Sequence, residues 1–135
     1  MTEAFSWIVR VYYEDTDAGG IVYYANYLKY FERARTEWLR AAGIGQKQAA
    51  ASDGVLFVVK TAMVDFHAPA CMDDELKLHV RVEKLGRASI QFLQQIWRGP
   101  ELLTTGRFKV GCVDSQTLRP NAIPATILVK ITTME

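Results

Sequence analysis

The 135-residue sequence is poor in several features that mark common classes of protein. Its two cysteines, Cys71 and Cys112, are too few for a disulfide framework and lack CxxC spacing, so we expect two buried, unpaired thiols. The 16 basic and 15 acidic residues nearly balance, and no basic block argues for nucleic acid or a membrane surface as a partner. No apolar run approaches the roughly 18 residues that span a bilayer. No secretory signal is visible at the N-terminus, so we expect a cytoplasmic protein.

The sequence is also poor in the residues of metal sites and of two large enzyme classes. His67 and His79 are the only histidines and no Cys or His cluster accompanies them, so we interpret both as ordinary strand residues. No GxSxG, Walker A or dinucleotide-binding glycine motif is present. Serine hydrolases of the usual type and nucleotide-binding folds therefore have no support.

The composition is that of a globular protein, with half of the residues hydrophobic and no repeat or linker, so we predict one domain over residues 1–135. Residues 6–13 alternate as a strand, and the acidic, glycine-containing residues 14–20 predict a loop. From about residue 25 an apolar stripe of helical spacing predicts a helix of about 17 residues that ends at Gly43. The stripe consists of Tyr27, Tyr30, Phe31, Ala34, Trp38, Ala41 and Ala42.

The rest of the chain predicts mainly strands. Residues 46–52 suggest a short helix, and residues 124–131 fit either a helix or a strand. The predicted strands are 55–66, 76–82, 88–97 and 102–113, and the apolar first of these is expected to be covered on both faces. One long helix against a run of antiparallel strands is an α+β arrangement, and a helix wrapped by a curved antiparallel sheet is the hotdog fold.

The loop before the long helix is the candidate for chemistry, and the residues alone leave two interpretations open. Glu14, Asp15 and Asp17 suit capping of a helix or pairing with its dipole. They also suit catalysis, because a carboxylate beside the free N–H groups of a helix N-terminus provides both groups that thioester hydrolysis needs. Gly19 and Gly20 would let the backbone approach a bound thioester closely.

A resemblance over most of the chain favours the second interpretation. The run YYEDTDAGGIVYYANY at residues 12–27, followed by FERARTE at 31–37, resembles the signature of the 4-hydroxybenzoyl-CoA thioesterase family. It is especially similar to the branch encoded beside the Tol–Pal envelope proteins. The similarity continues through FVV at 57–59, APA at 68–70, DD at 73–74 and CVD at 112–114.

The resemblance implies a hotdog acyl-CoA thioesterase that releases a free acid and CoA. It implies homodimers, often paired into homotetramers, with active sites between subunits and no metal or redox cofactor. The catalytic carboxylate falls on Asp17, as nucleophile or general base, and the backbone N–H of Tyr24 polarises the thioester carbonyl, with Gly20 and Ala25 beside the substrate. The alternatives are a module that binds acyl-CoA or acyl carrier protein without hydrolysis, or an interaction protein of the envelope machinery.

One departure concerns Tyr24, where the Tol–Pal-associated branch commonly has histidine and the 4-hydroxybenzoyl branch has tyrosine. A phenol is a poorer base near neutrality than imidazole, but a backbone N–H contact does not depend on the side chain. Two further sets of candidates remain. Glu32 is an alternative acid on the helix, and the candidates for CoA phosphates are Lys60, Arg87, Arg107 and Lys109.

Overall fold

The computed structural model describes residues 5–134. Residues 1–4, on which the expectation of no secretory signal partly rests, and residue 135 lie outside the described residues. The strands are β1 (Phe5–Arg10), β2 (Val55–Phe66), β3 (Glu75–Leu85), β4 (Ser89–Arg98) and β5 (Glu101–Asp114). The helices are α1 (Asn26–Ala41), the single turn α2 (Gln46–Gln48) and α3 (Ala125–Met134). A 3-10 turn (Tyr13–Asp15) and a π-helical turn (Ala49–Asp53) complete the elements.

The five strands form one sheet in the order β1-β3-β4-β5-β2, and every neighbouring pair is antiparallel. The core lies between the sheet and α1. There Trp38 meets Phe92 edge-on with ring centroids 5.3 Å apart, and the rings of Phe31 and Phe108 lie 5.0 Å apart. The α+β class and the helix-on-sheet layout of the hotdog fold are therefore as predicted.

The long helix α1 follows the predicted stripe along most of its length. Tyr27, Tyr30, Phe31, Ala34 and Trp38 are buried, but Ala41, the last residue of the helix, is exposed. Gly43 then adopts a φ of 84° and donates its N–H to Arg40 O at 2.9 Å, while Ile44 N–H reaches Leu39 O at 2.8 Å. These two bonds form a Schellman motif, so the predicted helix stop is confirmed.

Arg35 on α1 has an environment that the sequence did not predict. Arg35 is only 8% exposed, donates to Gln94 Oε1 at 3.0 Å, and stacks 4.5 Å from the centre of the Phe108 ring. Burial lowers the pKa of Arg35 to about 10. The core therefore contains a buried cation held by an amide and an aromatic ring.

β1 is shorter than the predicted strand 6–13, because the backbone of Val11 already bonds to the segment before β3. Val11 N–H donates to Asp74 O and Val11 O accepts from Asp73 N–H, both at 2.9 Å. The next residues turn away into the 3-10 turn and become exposed. The ambiguous residues near the C-terminus form the helix α3, whose Ile127 and Ile131 are buried.

β2 differs from the prediction of a strand covered on both faces. It forms one edge of the sheet, and its apolar side chains Val58, Val59, Met63 and Phe66 are 38 to 63% exposed. An edge strand that is long and apolar presents unpaired backbone groups to another chain. No helix within residues 5–134 is long and apolar enough to cross a membrane.

Candidate active site

The loop between β1 and α1 folds back on itself as a tight antiparallel turn. Thr16 and Val22 form an isolated bridge, Asp17 N–H donates to Ile21 O at 2.9 Å, and Gly20 N–H donates to Asp17 O at 3.0 Å. Gly20 has a φ of 78°, a left-handed conformation that glycine adopts without steric cost. The turn therefore fixes the backbone of Asp17 on the surface.

Asp15 serves the structure of this loop. Its Oδ2 accepts the N–H of Tyr12 at 2.9 Å and so closes the 3-10 turn. Its carbonyl oxygen accepts both the N–H of Tyr23 at 3.0 Å and the side-chain amide of Asn26 at 2.8 Å. Asp15 therefore ties the end of β1 to the start of α1.

Asp17 has a carboxylate that is only partly engaged. Its Oδ1 accepts the N–H of Gly19 at 2.9 Å, whereas no donor within residues 5–134 bonds to Oδ2. A Cβ at position 19 would lie 3.3 Å from Oδ1, so glycine leaves room for this bond. The N-terminus of α1 has no side-chain cap, so Asp17 does not cap that helix.

Asp17 lines a surface depression of about 580 Å³. Cys71 and Met72, which precede β3, form one wall, and the remaining lining residues are Tyr13, Thr16, Ala18 and Gly20. Cys112 is buried as expected, and burial raises the pKa of its thiol, but Cys71 is only partly buried and faces this depression. Because Cys71 and Met72 lie far from Asp17 in sequence, no local pattern indicated them.

Tyr24 and Ala25 immediately precede α1, with Ala25 as its N-cap residue, and do not line the depression. Neither backbone N–H donates a hydrogen bond to any group in the described part of the chain, whereas the N–H of Asn26 is used by Tyr23 O at 2.8 Å. The Tyr24 side chain is 65% exposed, with its ring centroid 4.9 Å from that of Tyr23. Two adjacent, unused N–H groups at a helix N-terminus can stabilise a negatively charged oxygen.

The wall that carries Cys71 is bonded to the Asp17 loop. Ile21 and Cys71 form a backbone bridge, and Val22 N–H donates to Ala70 O at 2.9 Å. Nearby, burial acts to raise the pKa of Asp74, but the Cys71 N–H and the Arg98 guanidinium outweigh it and hold that pKa below its usual range. Asp74 is therefore a fixed anion at the base of this wall.

The four candidates for CoA phosphates differ in their surroundings. Lys60 and Lys109 line one depression of about 330 Å³ and have no carboxylate partner within residues 5–134. Lys60 lies at a bulge in β2, and its side chain crosses Gly111 so closely that a Cβ there would be 2.7 Å from it. Arg107 pairs with Glu83 at 3.3 Å. Arg87 is exposed in the turn between β3 and β4 and does not line the lysine depression. The structure thus brings the two lysines together and engages Arg107 elsewhere.

Glu32 is exposed and lines a different cavity, of about 130 Å³, between α1 and the sheet. Its Oε1 accepts the hydroxyl of Thr36 at 3.0 Å, so one carboxylate oxygen is already engaged. His67 Nε2 lies 3.0 Å from Thr105 Oγ1, and the ring of His79 packs against Trp97. The described residues contain no group of three or more His, Cys, Asp or Glu that would hold a metal ion.

Comparison with known proteins assigns the class. Residues 11–131 match the family model of the thioesterase-like superfamily, and the chain belongs to that superfamily. The chain is 42% identical to an acyl-CoA thioesterase YbgC of Haemophilus influenzae, over 94% of this chain and 93% of that protein. It is also 42% identical to an acyl-CoA thioester hydrolase YbgC of Escherichia coli, with 96% of each chain covered.

A solved structure gives the same picture. A probable thioesterase from Bartonella henselae superposes with a TM-score of 0.86 at 32% identity, covering 90% of this chain and all of that one. The resemblance to a thioesterase family and the predicted hotdog fold are thereby confirmed.

Proposed function

We propose that the protein hydrolyses acyl-CoA thioesters to a free acid and CoA, with Asp17 as the catalytic carboxylate. The observation that carries this proposal is the unengaged Oδ2 of Asp17 in a surface depression of a thioesterase-superfamily chain. The relatives at 42% identity that are named for acyl-CoA thioester hydrolysis support the choice of substrate class.

Asp17 acts in one of two ways. As a nucleophile, Oδ2 attacks the thioester carbonyl carbon, the C–S bond breaks with release of the CoA thiolate, and water then cleaves the acyl–aspartyl anhydride. As a general base, the carboxylate accepts a proton from a water molecule that attacks the same carbon. Both routes pass through a tetrahedral oxyanion.

The start of α1 supplies the stabilising donors for this oxyanion. The unused N–H groups of Tyr24 and Ala25 and the positive end of the helix dipole favour a negative oxygen there. Tyr24 acts through its backbone, so the exchange of histidine for tyrosine leaves this role intact. Gly20 permits close passage of the substrate beside Asp17.

A second copy of the chain covers the exposed edge strand β2. Edge strands of two copies pair antiparallel and bury Val59 and Met63, which are 49% and 63% exposed in one chain. The exposed aromatic side chains near the site, Tyr13 and Tyr24, are also available to a neighbouring subunit. We therefore propose a homodimer, from which a homotetramer can form.

Pairing through β2 also places Lys60 at the subunit interface. Within one chain, Lys60 and Lys109 lie near Ser89 at the start of β4, whereas Arg98 at its other end adjoins the Asp17 depression. Lys109 pairs with Gln91, so its position and that of Arg98 are roughly 23 Å apart along the strand. Lys60 lies in the middle of β2, so antiparallel pairing places it near the two-fold axis, facing the partner's β2. There the lysines of one copy are available to the CoA phosphates of a thioester bound at Asp17 of its partner.

The proposal is tested by incubating purified protein with short-chain, long-chain and hydroxybenzoyl CoA thioesters and measuring released thiol. Saturable, enzyme-dependent release with at least one member of the panel supports hydrolysis. Tight binding without release across the panel contradicts it and indicates a binding module. A parallel series of acyl carrier protein thioesters determines whether the carrier protein replaces CoA as the thiol component.

A further inference from the structure

The segment between β2 and β3 forms one wall of the Asp17 depression through Cys71 and Met72. The loop that carries Asp17 is bonded to this wall by the Ile21–Cys71 bridge and by the bond from Val22 N–H to Ala70 O. The position of Asp17 relative to the start of α1 therefore depends on how firmly this wall, residues 69–74, is held.

One side chain holds both ends of the wall. Arg98, the last residue of β4, donates through Nη1 to Asp74 Oδ2 at 2.7 Å and to Pro69 O at 3.2 Å. Its Nη2 is 2.6 Å from Glu101 Oε1, which orients the guanidinium plane. A planar guanidinium makes several directed bonds at once, whereas a lysine ammonium acts more as a point charge.

Asp74 passes this constraint to the residue that touches the active-site loop. The same Oδ2 that receives Arg98 accepts the N–H of Cys71 at 2.8 Å, and Asp74 N–H returns a bond to Cys71 O at 3.1 Å. Asp73, in the middle of this turn, has a φ of 73°, a backbone conformation that residues other than glycine rarely adopt. The turn is therefore strained and depends on the contacts that close it.

The wall is fixed to α1 from its other side. Ala70 N–H donates to the hydroxyl of Tyr27 at 3.0 Å, and Tyr27 is buried in the first turn of the helix. Ala70 thus touches the Asp17 loop through its carbonyl and the helix start through its N–H. The loop that carries Asp17 and the start of the helix are therefore both bonded to this segment.

We propose that Arg98 is a positioning residue for catalysis: by clamping Asp74 and Pro69 it fixes the wall that orients Asp17. This inference rests on the proposed function. Arg98 and Asp74 are one-third and one-fifth exposed, so their ion pair by itself adds little stability. A small displacement of Asp17, by contrast, slows the reaction strongly, because catalytic geometry tolerates errors of well under 1 Å.

The experiment compares Arg98→Met and Arg98→Lys with the wild type, each also combined with Asp17→Asn. We expect Arg98→Met to lower kcat about 10-fold or more while KM stays within about 2-fold, because positioning and not binding is lost. Arg98→Lys is expected to recover part of the loss, since it keeps the charge on Asp74. In the Asp17→Asn background the Arg98 substitutions should have no further effect on kcat.

Arg40→Met is the matched control, because Arg40 pairs with Glu37 near the end of α1 and does not touch the wall. It should leave kcat unchanged. Arg98 acts only as a surface ion pair if Arg98→Met keeps wild-type kcat. It acts independently of Asp17 if kcat falls by the same factor in both backgrounds. Either result overturns the proposal.

A readout that does not need activity separates this inference from the proposed function. Arg98→Met should speed amide hydrogen exchange at Val22, whose N–H is bonded to the wall, and leave exchange at the β4–β5 pairs unchanged. Unchanged exchange at Val22 overturns the clamp even in an active enzyme. If exchange at Val22 becomes faster but the protein hydrolyses no thioester, Arg98 does hold the wall and the proposed hydrolase function is wrong.

Discussion

Asp15 and Asp17 lie two positions apart in one loop, and their carboxylates have different tasks. Asp15 Oδ2 accepts the N–H of Tyr12 and closes the 3-10 turn. Within residues 5–134, the carboxylate of Asp17 accepts only the N–H of Gly19, through Oδ1, and keeps Oδ2 open. The two residues are chemically alike and similarly placed in the sequence. They therefore provide a matched pair for separating catalysis from structure.

The buried cation in the core gives a stability prediction. Arg35→Met removes the donor to Gln94 Oε1, which is fully buried, and should lower the free energy of unfolding by roughly 1–3 kcal/mol. Arg40→Met, at an exposed pair, should change it by less than about 0.5 kcal/mol. Denaturant unfolding of both variants measures the difference, and equal effects would show that the Arg35–Gln94 bond contributes nothing specific.

The depressed pKa of Asp74 gives a pH prediction. Because the folded-state pKa is below the unfolded value of about 3.9, the folded state binds the proton less readily, and ionised Asp74 stabilises the fold above that value. This stabilisation is lost as the pH falls through the folded pKa. The stability difference between the wild type and Asp74→Asn should be constant above about pH 5 and shrink below about pH 4. Thermal unfolding of both proteins across this pH range measures the difference. A stability difference that grows as the pH falls would contradict the prediction.

The exposed strand β2 gives an oligomer prediction. Met63→Lys places a charge on the proposed pairing edge and should shift the protein from dimer toward monomer and lower its activity. Val129→Lys, on the exposed face of α3, is the control and should leave the mass unchanged. Analytical ultracentrifugation reads out both. A wild-type monomer, or a Met63→Lys dimer of unchanged affinity, would contradict pairing through β2.

The lysine depression gives a substrate prediction. Lys60→Ala combined with Lys109→Ala should raise KM for an acyl-CoA roughly 10-fold or more, since bonds to charged groups are lost. KM for the same acyl group on pantetheine, which lacks the nucleotide phosphates, should not change. Lys84→Ala, an exposed lysine on β3, controls for net charge.

Mixing two impaired variants, assayed at a substrate concentration well below the raised KM, tests whether the lysines act across the interface. A mixed dimer contains one Asp17→Asn chain and one Lys60→Ala/Lys109→Ala chain. If each site takes Asp17 from one copy and the lysines from the other, one of its two sites carries none of these substitutions. Recovered activity in the mixture supports the shared site. No recovery in verified mixed dimers would assign the lysines to the same chain as Asp17.

The sequence predicted the helices and strands in which the spacing of apolar residues shows which face is buried. The α1 stripe, the Gly43 stop and the alternating strands follow from local patterns, and their order suffices for the α+β class. The inward turn of Arg35 was not predicted, because its partner Gln94 lies on a distant strand. A covered β2 was predicted from apolar composition, but composition does not distinguish a buried strand from an edge that awaits a partner.

The candidate site was predictable only in part. From the residues alone, Asp17 could be either a helix cap or a catalytic group. The family resemblance favoured the catalytic role. The structure shows that Asp17 does not cap α1, and it adds the wall around Cys71, which no local motif links to the loop. Contacts of this kind depend on the tertiary fold and leave no spacing signal in the chain.

The most direct test of the account is kcat of Asp17→Asn against Asp15→Asn on whichever CoA thioester the wild type hydrolyses best. Asp17→Asn should lose at least about 100-fold in kcat with little change in KM, the scale for loss of a catalytic group. Asp15→Asn keeps an oxygen that can accept the Tyr12 N–H and should lose far less. Turnover by Asp17→Asn close to that of the wild type would contradict the central claim.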